Sequence, residues 1–388
     1  MLFRSFCLFS LFGRLLFPFG DEPDFTVRAP SVLNHDLHSW WSPFSIFSNF
    51  FTLLDVASEC VVTASPFSLT SHIDPISCFE SIDQITIRLM LTLLIVSPLF
   101  IVVLFGRFFF GVLGLFSKRK HLEDIEQRIS VLSLTILFPG VIYYLGVFSV
   151  EQFTLLLSLL IFIFWSNRII ILILLGMLFS IDFGNSIVVA SFVISAWFYS
   201  YLSKKFSYKT ILILMFIQVC TFYVVGYQVL EITAQLPYIA DKSIAMMQVF
   251  ENGELDEKYP VILRPVITFM TFVFMTPSYI KVPVLYLFVG FSAFFGLLKF
   301  RLKYKKMKLS YSDEGESFKN DLLLFFVAIS LILSFVFMFP AYGNAKYYIF
   351  STPFIISAFM RVFKFRNVFF FMIFLDTILF AHLLMYRL

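Results

Sequence analysis

The sequence predicts an all-α polytopic membrane protein, with about 11 transmembrane helices in one integral membrane domain over residues 1–388. The chain is 60% hydrophobic, only 14% of its residues are charged, and its mean hydropathy is +0.90. Soluble domains average about 25% charged residues, so the composition excludes a soluble fold. Apolar runs near the length that a helix needs to cross a bilayer recur along the chain between short clusters of Lys and Arg.

The placement of Lys and Arg predicts the orientation, because these residues collect on the cytoplasmic side of a membrane protein. Basic clusters at 118–120, 204–209 and 299–308 mark this inner side. We expect the N-terminus inside and the C-terminus outside, with residues 1–19 forming either an uncleaved first span or an interfacial helix. The further predicted spans are 89–115, 129–150, 153–165, 169–181, 186–202, 210–229, 282–300, 321–340, 347–360 and 368–385.

Two large segments are predicted on the outer side. Residues 20–87 are polar and mixed, and they contain Cys60 and Cys78, which pair if the segment faces an oxidising compartment or remain as two thiols. Residues 230–281 form the main outer loop and hold the longest polar stretch of the chain. Within this loop Val266–Met275 is too short to span, so it is predicted as a re-entrant or interfacial helix.

Several kinds of functional site are absent from the sequence. No Gly-rich phosphate loop followed by Lys occurs, which argues against ATP as the energy source. The sequence also lacks HExxH, paired CxxC and GxSxG motifs, and the pair His35-x-x-His38 supplies only two metal ligands. We therefore expect no cofactor and no metal. The absence of a basic patch with interleaved aromatic residues also argues against nucleic acid as a partner.

Basic residues on the predicted outer side oppose the usual charge bias and call for a reason. Arg264 precedes Pro265 where the chain is expected to enter the membrane, Lys281 begins the next span, and Lys346 lies in a short turn between two spans. Three cations at one membrane depth suit a diphosphate, since Arg binds such groups bidentately and Lys acts as a point charge. The alternative is that each side chain extends to lipid headgroups.

Acidic residues at the outer ends of spans are candidates for a general base. They are Glu151, Asp182, Glu231 and Asp241, of which Asp182 is better explained as a solvated cap. A carboxylate in a partly dry site can take a proton from a reacting hydroxyl. Asp376 stands within the last predicted span, where an acid suggests a function, although a structural hydrogen bond to its neighbours is the alternative.

This layout resembles that of the Wzy-type O-antigen and capsular polysaccharide polymerases, and also that of the related O-antigen ligases. The resemblance covers residues 129–360 in layout, with one large outer loop between the middle spans. In this family, outer-face arginines are thought to hold the polyprenyl-diphosphate donor, a role that falls on Arg264, whereas Lys346 stands where an Arg is expected. The local matches are Pro139-Gly140-x-x-Tyr143-Tyr144 through Glu151, Leu263-Arg264-Pro265 and Tyr342-x-x-x-Lys346-Tyr347.

The resemblance implies a glycosyltransferase that polymerises polyprenyl-diphosphate-linked oligosaccharide repeat units at the outer face of the bacterial inner membrane. The product would be O-antigen of lipopolysaccharide, capsule or exopolysaccharide. Arg264, Lys281 and Lys346 would bind the diphosphate, and Glu151 or Glu231 would act as the base. Implied partners are the lipid-linked glycan, membrane lipid and a chain-length regulator protein.

Two alternatives stay open. A glycosyltransferase that uses a polyprenyl-phosphate sugar would carry an acidic motif in the first outer loop, where Asp21, Asp24 and Asp36 are available. A flippase for lipid-linked oligosaccharide would carry charged residues inside the helix bundle, as Arg107 and Asp376 do in the predicted spans.

Overall fold

A computed structural model describes the fold over residues 119–144, 151–181, 183–235, 313–338 and 345–387, with isolated positions at 89, 92–93, 97–98, 147, 240, 243–244, 247–248 and 298–299. All regular elements of this described part are helices, and it contains no strand. The predicted span 1–19 and the outer segment 20–87 lie outside the described residues. So do nearly all of the spans 89–115 and 282–300, and the greater part of the outer loop 230–281.

Ten helical elements occupy the described residues. Most of their bounds lie within a few residues of the predicted spans, because each apolar run ends at charged or turn-forming residues. The helices are α1 Arg119–Ile136, α2 Pro139–Tyr144, α3 Glu151–Ile163, α4 Arg168–Ile181, α5 Phe183–Leu202, α6 Tyr208–Thr233, α7 Asp313–Met338, the 3-10 helix η1 Ala345–Ser351, α8 Thr352–Val362 and α9 Phe365–Arg387.

Three of these helices contain segments long and apolar enough to cross a membrane, namely Asn185–Leu202, Tyr208–Thr233 and Lys319–Phe337. Shorter apolar segments of 10–17 residues occur in α3, in α4 and across η1 and α8. A helix of about 12 residues rises only about 18 Å, which is less than the hydrocarbon thickness of about 30 Å. The described part therefore indicates a helical membrane protein, and the count of 11 spans stays a prediction.

The predicted span 129–150 is interrupted in the structure. Helix α1 ends at Ile136, and α2 begins at Pro139 after a two-residue turn. Proline is well suited to the first position of a helix, because its missing N–H is not needed there. The kink predicted at Pro139-Gly140 is thus present as a break between two helices.

The chain divides into two compact units. Unit 1 contains the described residues up to Leu137 together with Val141–Ala190. Unit 2 contains Phe138–Gly140 and the described residues from Ser191 onward.

Unit 1 is built around an antiparallel hairpin of α3 and α4, which pack along each other. The connecting turn is tight, because the backbone N–H of Asn167 donates to the Phe164 carbonyl at 2.8 Å. The Asn167 side chain then accepts from the N–H groups of Ile169 and Ile170 at 3.1 and 3.2 Å. This is the N-cap arrangement that satisfies the otherwise unpaired donors of a first helical turn.

Helix α1 packs against α3, and a side chain joins the two. The guanidinium of Arg128 donates to the carbonyls of Phe162 and Ile163 at 3.1 and 2.7 Å, and to Ser166 Oγ at 3.1 Å. The last carbonyls of a helix lack intrahelical partners and carry the negative end of its dipole. Arg128 therefore satisfies the C-terminal end of α3 from a neighbouring helix.

Three helix pairs define the directions within unit 2. Helices α5 and α6 follow each other through a short turn, and the hydroxyl of Tyr199 donates to Gln218 Oε1 at 2.7 Å. Helices α6 and α7 run parallel, because Tyr208 near the start of α6 meets Phe326, with ring centroids 6.2 Å apart, and Tyr223 further on meets Phe337 at 6.0 Å. The predicted spans 210–229 and 321–340 would both cross outward, which requires a parallel pair, and their place in the membrane stays a prediction.

Helices α7 and α8 run antiparallel. Phe325 near the start of α7 meets Phe359 near the end of α8, with centroids 6.1 Å apart. Small side chains are buried in both helices, where they permit the close backbone approach typical of membrane helix pairs. These buried small residues are Ala328, Ser330, Ser334, Ser357 and Ala358.

The aromatic core of unit 2 centres on Phe192 of α5, which is fully buried. Its ring lies 5.3 Å from that of Phe350 and 4.6 Å from that of Phe354. Phe350 belongs to η1 and Phe354 to α8, so one α5 side chain contacts the junction of the 3-10 helix and the α-helix. This contact holds η1 in place at its end of the unit.

Candidate functional site

Two of the predicted site residues lie at the same end of unit 2. Because α6 and α7 are parallel, their C-terminal ends at Thr233 and Met338 share one end, and the antiparallel α8 places η1 at that end too. Glu231 lies in the last turn of α6, and Lys346 is the second residue of η1. We name this the Glu231 end, and the opposite end, where Asp321 and Arg361 meet, the Asp321 end.

The final turn of α6 presents Glu231 to the surroundings. The side chain is exposed, whereas the preceding Leu230 is buried against the unit. The turn is held by the backbone N–H of Ala234, which donates to the Leu230 carbonyl at 2.8 Å, and by the hydroxyls of Thr233 and Ser243, 2.8 Å apart. The partly dry site expected for a general base is therefore not formed around Glu231 by the described residues, although its carboxylate is accessible to an incoming hydroxyl.

The 3-10 helix η1 gives the Lys346 backbone a firm attachment. Tyr348, Ile349 and Phe350, which stand two to four residues after Lys346, are almost completely buried. The hydroxyl of Ser351 donates to the Tyr348 carbonyl at 2.6 Å and closes the last turn. The packed residues that follow Lys346 therefore fix where its backbone lies in the fold.

Thr352 adds a polar group at this end that the sequence did not single out. It is 1% exposed, and its Oγ1 has no hydrogen-bond partner among the described residues. A Thr at the start of an apolar run suggests an N-cap, but the helix α8 begins at Thr352 itself and is preceded by Ser351 without a side-chain cap. A buried hydroxyl left without a partner is uncommon, because its desolvation is uncompensated.

The other predicted site residues lie in unit 1 or outside the described residues. Glu151 is the first residue of α3 in unit 1. It precedes the buried polar side chains Gln152 and Thr154. Outside the described residues lie Arg264 and Lys281, the predicted diphosphate ligands, together with the acids Asp182 and Asp241.

Asp376 lies on α9 as predicted, and the structure shows what its neighbour Thr377 bonds to. Its Oδ1 is shielded from solvent and has no hydrogen-bond partner among the described residues. The hydroxyl of the neighbouring Thr377 instead donates to the Ile373 carbonyl at 2.8 Å. The hydrogen bond expected from Thr377 is therefore not made, and Asp376 remains a polar group inside an apolar helix.

Sequence reasoning also missed the ion pair at the Asp321 end. Arg361 Nε donates to Asp321 Oδ2 at 2.6 Å across 40 residues of sequence. Both residues were assigned to the inner side as the boundaries of separate spans. Because the two residues are 40 positions apart, no short-range spacing in the sequence indicates that they pair.

The described residues contain no cluster of three or more His, Cys, Asp or Glu side chains that would hold a metal ion. Comparison of the chain with protein-family models, with curated proteins and with solved structures finds no match.

Proposed function

We propose that this protein is a polysaccharide polymerase of the bacterial inner membrane, which joins polyprenyl-diphosphate-linked repeat units at the outer face. The observation that carries the proposal is the placement of Glu231 and Lys346 at one end of unit 2, opposite the Asp321 end. A predicted base and a predicted phosphate ligand thus share an end, although they are 115 positions apart in the chain.

In the proposed reaction, a hydroxyl oxygen of the acceptor repeat unit attacks the anomeric carbon of the growing glycan. A new glycosidic bond forms as the bond from the anomeric carbon to the diphosphate oxygen breaks. The electron pair of that bond leaves with the polyprenyl diphosphate, and the hydroxyl proton passes to a carboxylate. The diphosphate is already an activated leaving group, so no nucleotide is consumed.

Each candidate residue has a distinct role in this step. Glu231 receives the proton, with Glu151 as the other candidate base. Lys346, together with Arg264 and Lys281 from the outer loop, balances the charge that grows on the departing diphosphate. Holding the two lipid-linked substrates beside each other would further increase the reaction rate, because the reaction becomes effectively unimolecular.

The test is the glycan profile of a strain from which the gene is deleted, compared with strains that carry the wild-type chain or Arg264→Ala. We expect a ladder of chain lengths with wild type, and a single repeat unit in the deletion and the Arg264→Ala strain. Membrane levels of the variant are measured by immunoblot as the control. A normal ladder from correctly inserted Arg264→Ala would overturn the role of Arg264, and loss of every glycan band on deletion would overturn the polymerase.

Asp376 favours a second candidate, a carrier for lipid-linked oligosaccharide. An acid within the last predicted span, with a shielded oxygen that has no hydrogen-bond partner among the described residues, is typical of a transport pathway. Under this alternative Asp376→Asn would abolish surface glycan of all lengths. A polymerase instead predicts that Asp376→Asn leaves the ladder of chain lengths, because Asp376 has no part in the proposed reaction.

A further inference from the structure

The Asp321 end of unit 2 carries a surface of exposed cations. Two turns meet there, the α5–α6 turn and the α8–α9 turn. Tyr208 from the first and Phe363 from the second pack on the same buried pair, Leu322 and Val362. Exposed cations surround this cluster and define what we call the basic surface, which comprises Lys204, Lys205, Lys209, Lys299, Lys364 and Arg366.

Among the described residues, the acid next to Leu322 in the sequence already has a cationic partner. Asp321 is bound by Arg361 at 2.6 Å, so its charge is already engaged. The first turns of α7 hold Asp313, Glu314 and Glu316, which lie five to eight residues before Asp321. At 1.5 Å per residue they are about 7–12 Å farther along the helix. The charge of Asp321 is therefore directed to Arg361, and these three acids stand beyond it along the helix.

Aromatic rings place several of these cations at the level of a membrane interface. Lys205 Nζ lies 4.7 Å from the centroid of Tyr201, and the Arg366 guanidinium lies 5.7 Å from that of Phe370. Both rings are more than half exposed, at 56% and 58%. Exposed rings beside cations at the ends of apolar helices form the belt that lies among lipid headgroups.

A third contact adds a cation from a distant part of the sequence. Lys299 Nζ lies 4.6 Å from the centroid of Phe363, in the α8–α9 turn. Phe363 itself packs on Leu322 and Val362. The basic surface therefore draws cations from three separate chain segments, of which Lys299 contacts the apolar cluster itself through Phe363.

We propose that the basic surface binds the headgroups of anionic phospholipids and anchors this end of unit 2 at the membrane surface. A phosphodiester headgroup presents one negative charge at the depth of the rings, and its acyl chains would lie along the exposed apolar faces of α5 and α9. Each Lys or Arg near an anionic membrane surface contributes roughly a fivefold gain in binding. This inference does not depend on the proposed enzymatic activity.

The experiment uses the full-length protein, purified in detergent and stripped of lipid. Binding of phosphatidylglycerol and of phosphatidylcholine is compared by native mass spectrometry. We expect preferential binding of phosphatidylglycerol. The double variant Lys205→Gln/Arg366→Gln should weaken that binding by about 25-fold, at about fivefold per removed cation, and leave phosphatidylcholine unchanged.

The matched control is Arg168→Gln, which removes an exposed cation at the start of α4 in unit 1, outside the basic surface. Equal weakening by Arg168→Gln, or equal binding of the two lipids by wild type, would overturn the proposal. Competition by millimolar glycerol 3-phosphate would assign the surface to a soluble phosphate and overturn the lipid assignment. If the double variant fails to fold, Lys204→Gln and Lys364→Gln, which alter exposed cations, supply the same comparison.

Discussion

Arg361 in α8 and Asp321 in α7 are joined by a 2.6 Å contact between Nε and Oδ2, and their side chains are only 22% and 20% exposed. The pair connects the end of one helix to the beginning of the membrane-spanning part of the other. It thereby fixes the antiparallel register of α7 and α8 at the end of unit 2 that lies opposite Glu231. A charge left here without its partner would be costly, because most of its hydration has been removed.

Removing either member of this pair should destabilise the protein. We expect Asp321→Asn and Arg361→Gln each to cost about 1.5–3 kcal/mol, the range for hydrogen bonds to charged groups. The double variant should cost less than the sum of the two, because each single variant already loses the same interaction. Thermal unfolding in detergent measures this coupling. Strictly additive losses would show that the contact contributes no stability of its own.

The Arg128 contacts predict that the stability of the end of α3 depends on the shape of this side chain as well as on its charge. Arg128→Gln should destabilise the C-terminal end of α3 by about 1–2 kcal/mol, because it removes a positive charge from two terminal carbonyls. Arg128→Lys should restore only part of this, since a point charge cannot reproduce the planar guanidinium fork. Hydrogen exchange of the turn 164–168 and thermal unfolding report the effect. Lys364→Gln, an exposed cation in unit 2, is the control and should leave both unchanged.

Two phenylalanines on α5, one inside the aromatic core and one outside it, allow a controlled test of the packing in that core. Phe192 is fully buried between Phe350 and Phe354, whereas Phe198 is 55% exposed. We expect Phe192→Ala to cost about 3–5 kcal/mol through lost burial and a cavity, and Phe198→Ala to cost less than about 1 kcal/mol. Thermal unfolding of both variants checks this. Similar losses from the two substitutions would contradict the packing described for α5.

Apolar run length predicted most helix bounds, and its failures have physical causes. Helix α4 covers Arg168–Ile181, where the sequence predicted 169–181. Helix α7 begins at Asp313, eight residues before the predicted span, because a polar segment continues the helix without adding hydropathy. Run length detects where a chain is apolar, and it does not detect where a helix extends into water.

The predicted span 347–360 is not one continuous α-helix. Its first part is the 3-10 helix η1, and α8 begins only at Thr352, just before Pro353. Proline cannot donate a backbone hydrogen bond, so it favours the start of a new helix over the continuation of an earlier one. The Asp321–Arg361 pair was also unpredictable, because its partners are brought together only by the antiparallel packing of α7 and α8.

The hydrogen bond between Tyr199 and Gln218 should contribute little by itself. It joins α5 and α6 over 2.7 Å, and interhelical hydrogen bonds in membrane proteins average about 0.6 kcal/mol. Tyr199→Phe should cost more than the double change with Gln218→Leu, since the single variant leaves a polar amide without its donor. A double-mutant cycle by thermal unfolding tests this. A loss above about 2 kcal/mol from the pair would show a role beyond one hydrogen bond.

Glu231 and Glu151 compete for the role of general base, and their different positions separate them. Glu231 shares its end of unit 2 with Lys346, whereas Glu151 begins α3 in unit 1. Since a general base contributes about 10²–10⁴ in rate, we expect Glu231→Gln to lower the extension rate at least 100-fold. We expect Glu151→Gln to change it less than about tenfold. Extension of a synthetic lipid-linked repeat unit by purified protein provides the measurement.

Variants of Lys346 test whether the diphosphate site lies at the Glu231 end of unit 2. Lys346→Ala should raise the KM for the diphosphate-linked donor and lower kcat, because the lysine balances charge both before and during departure of the leaving group. Lys346→Arg should retain activity, since a guanidinium also binds phosphate. Lys209→Ala, which removes a cation at the opposite end of α6, should leave both constants unchanged. If Lys346→Ala lowers thermal stability without altering the donor KM, then the residue serves the fold of η1 and the diphosphate site lies elsewhere.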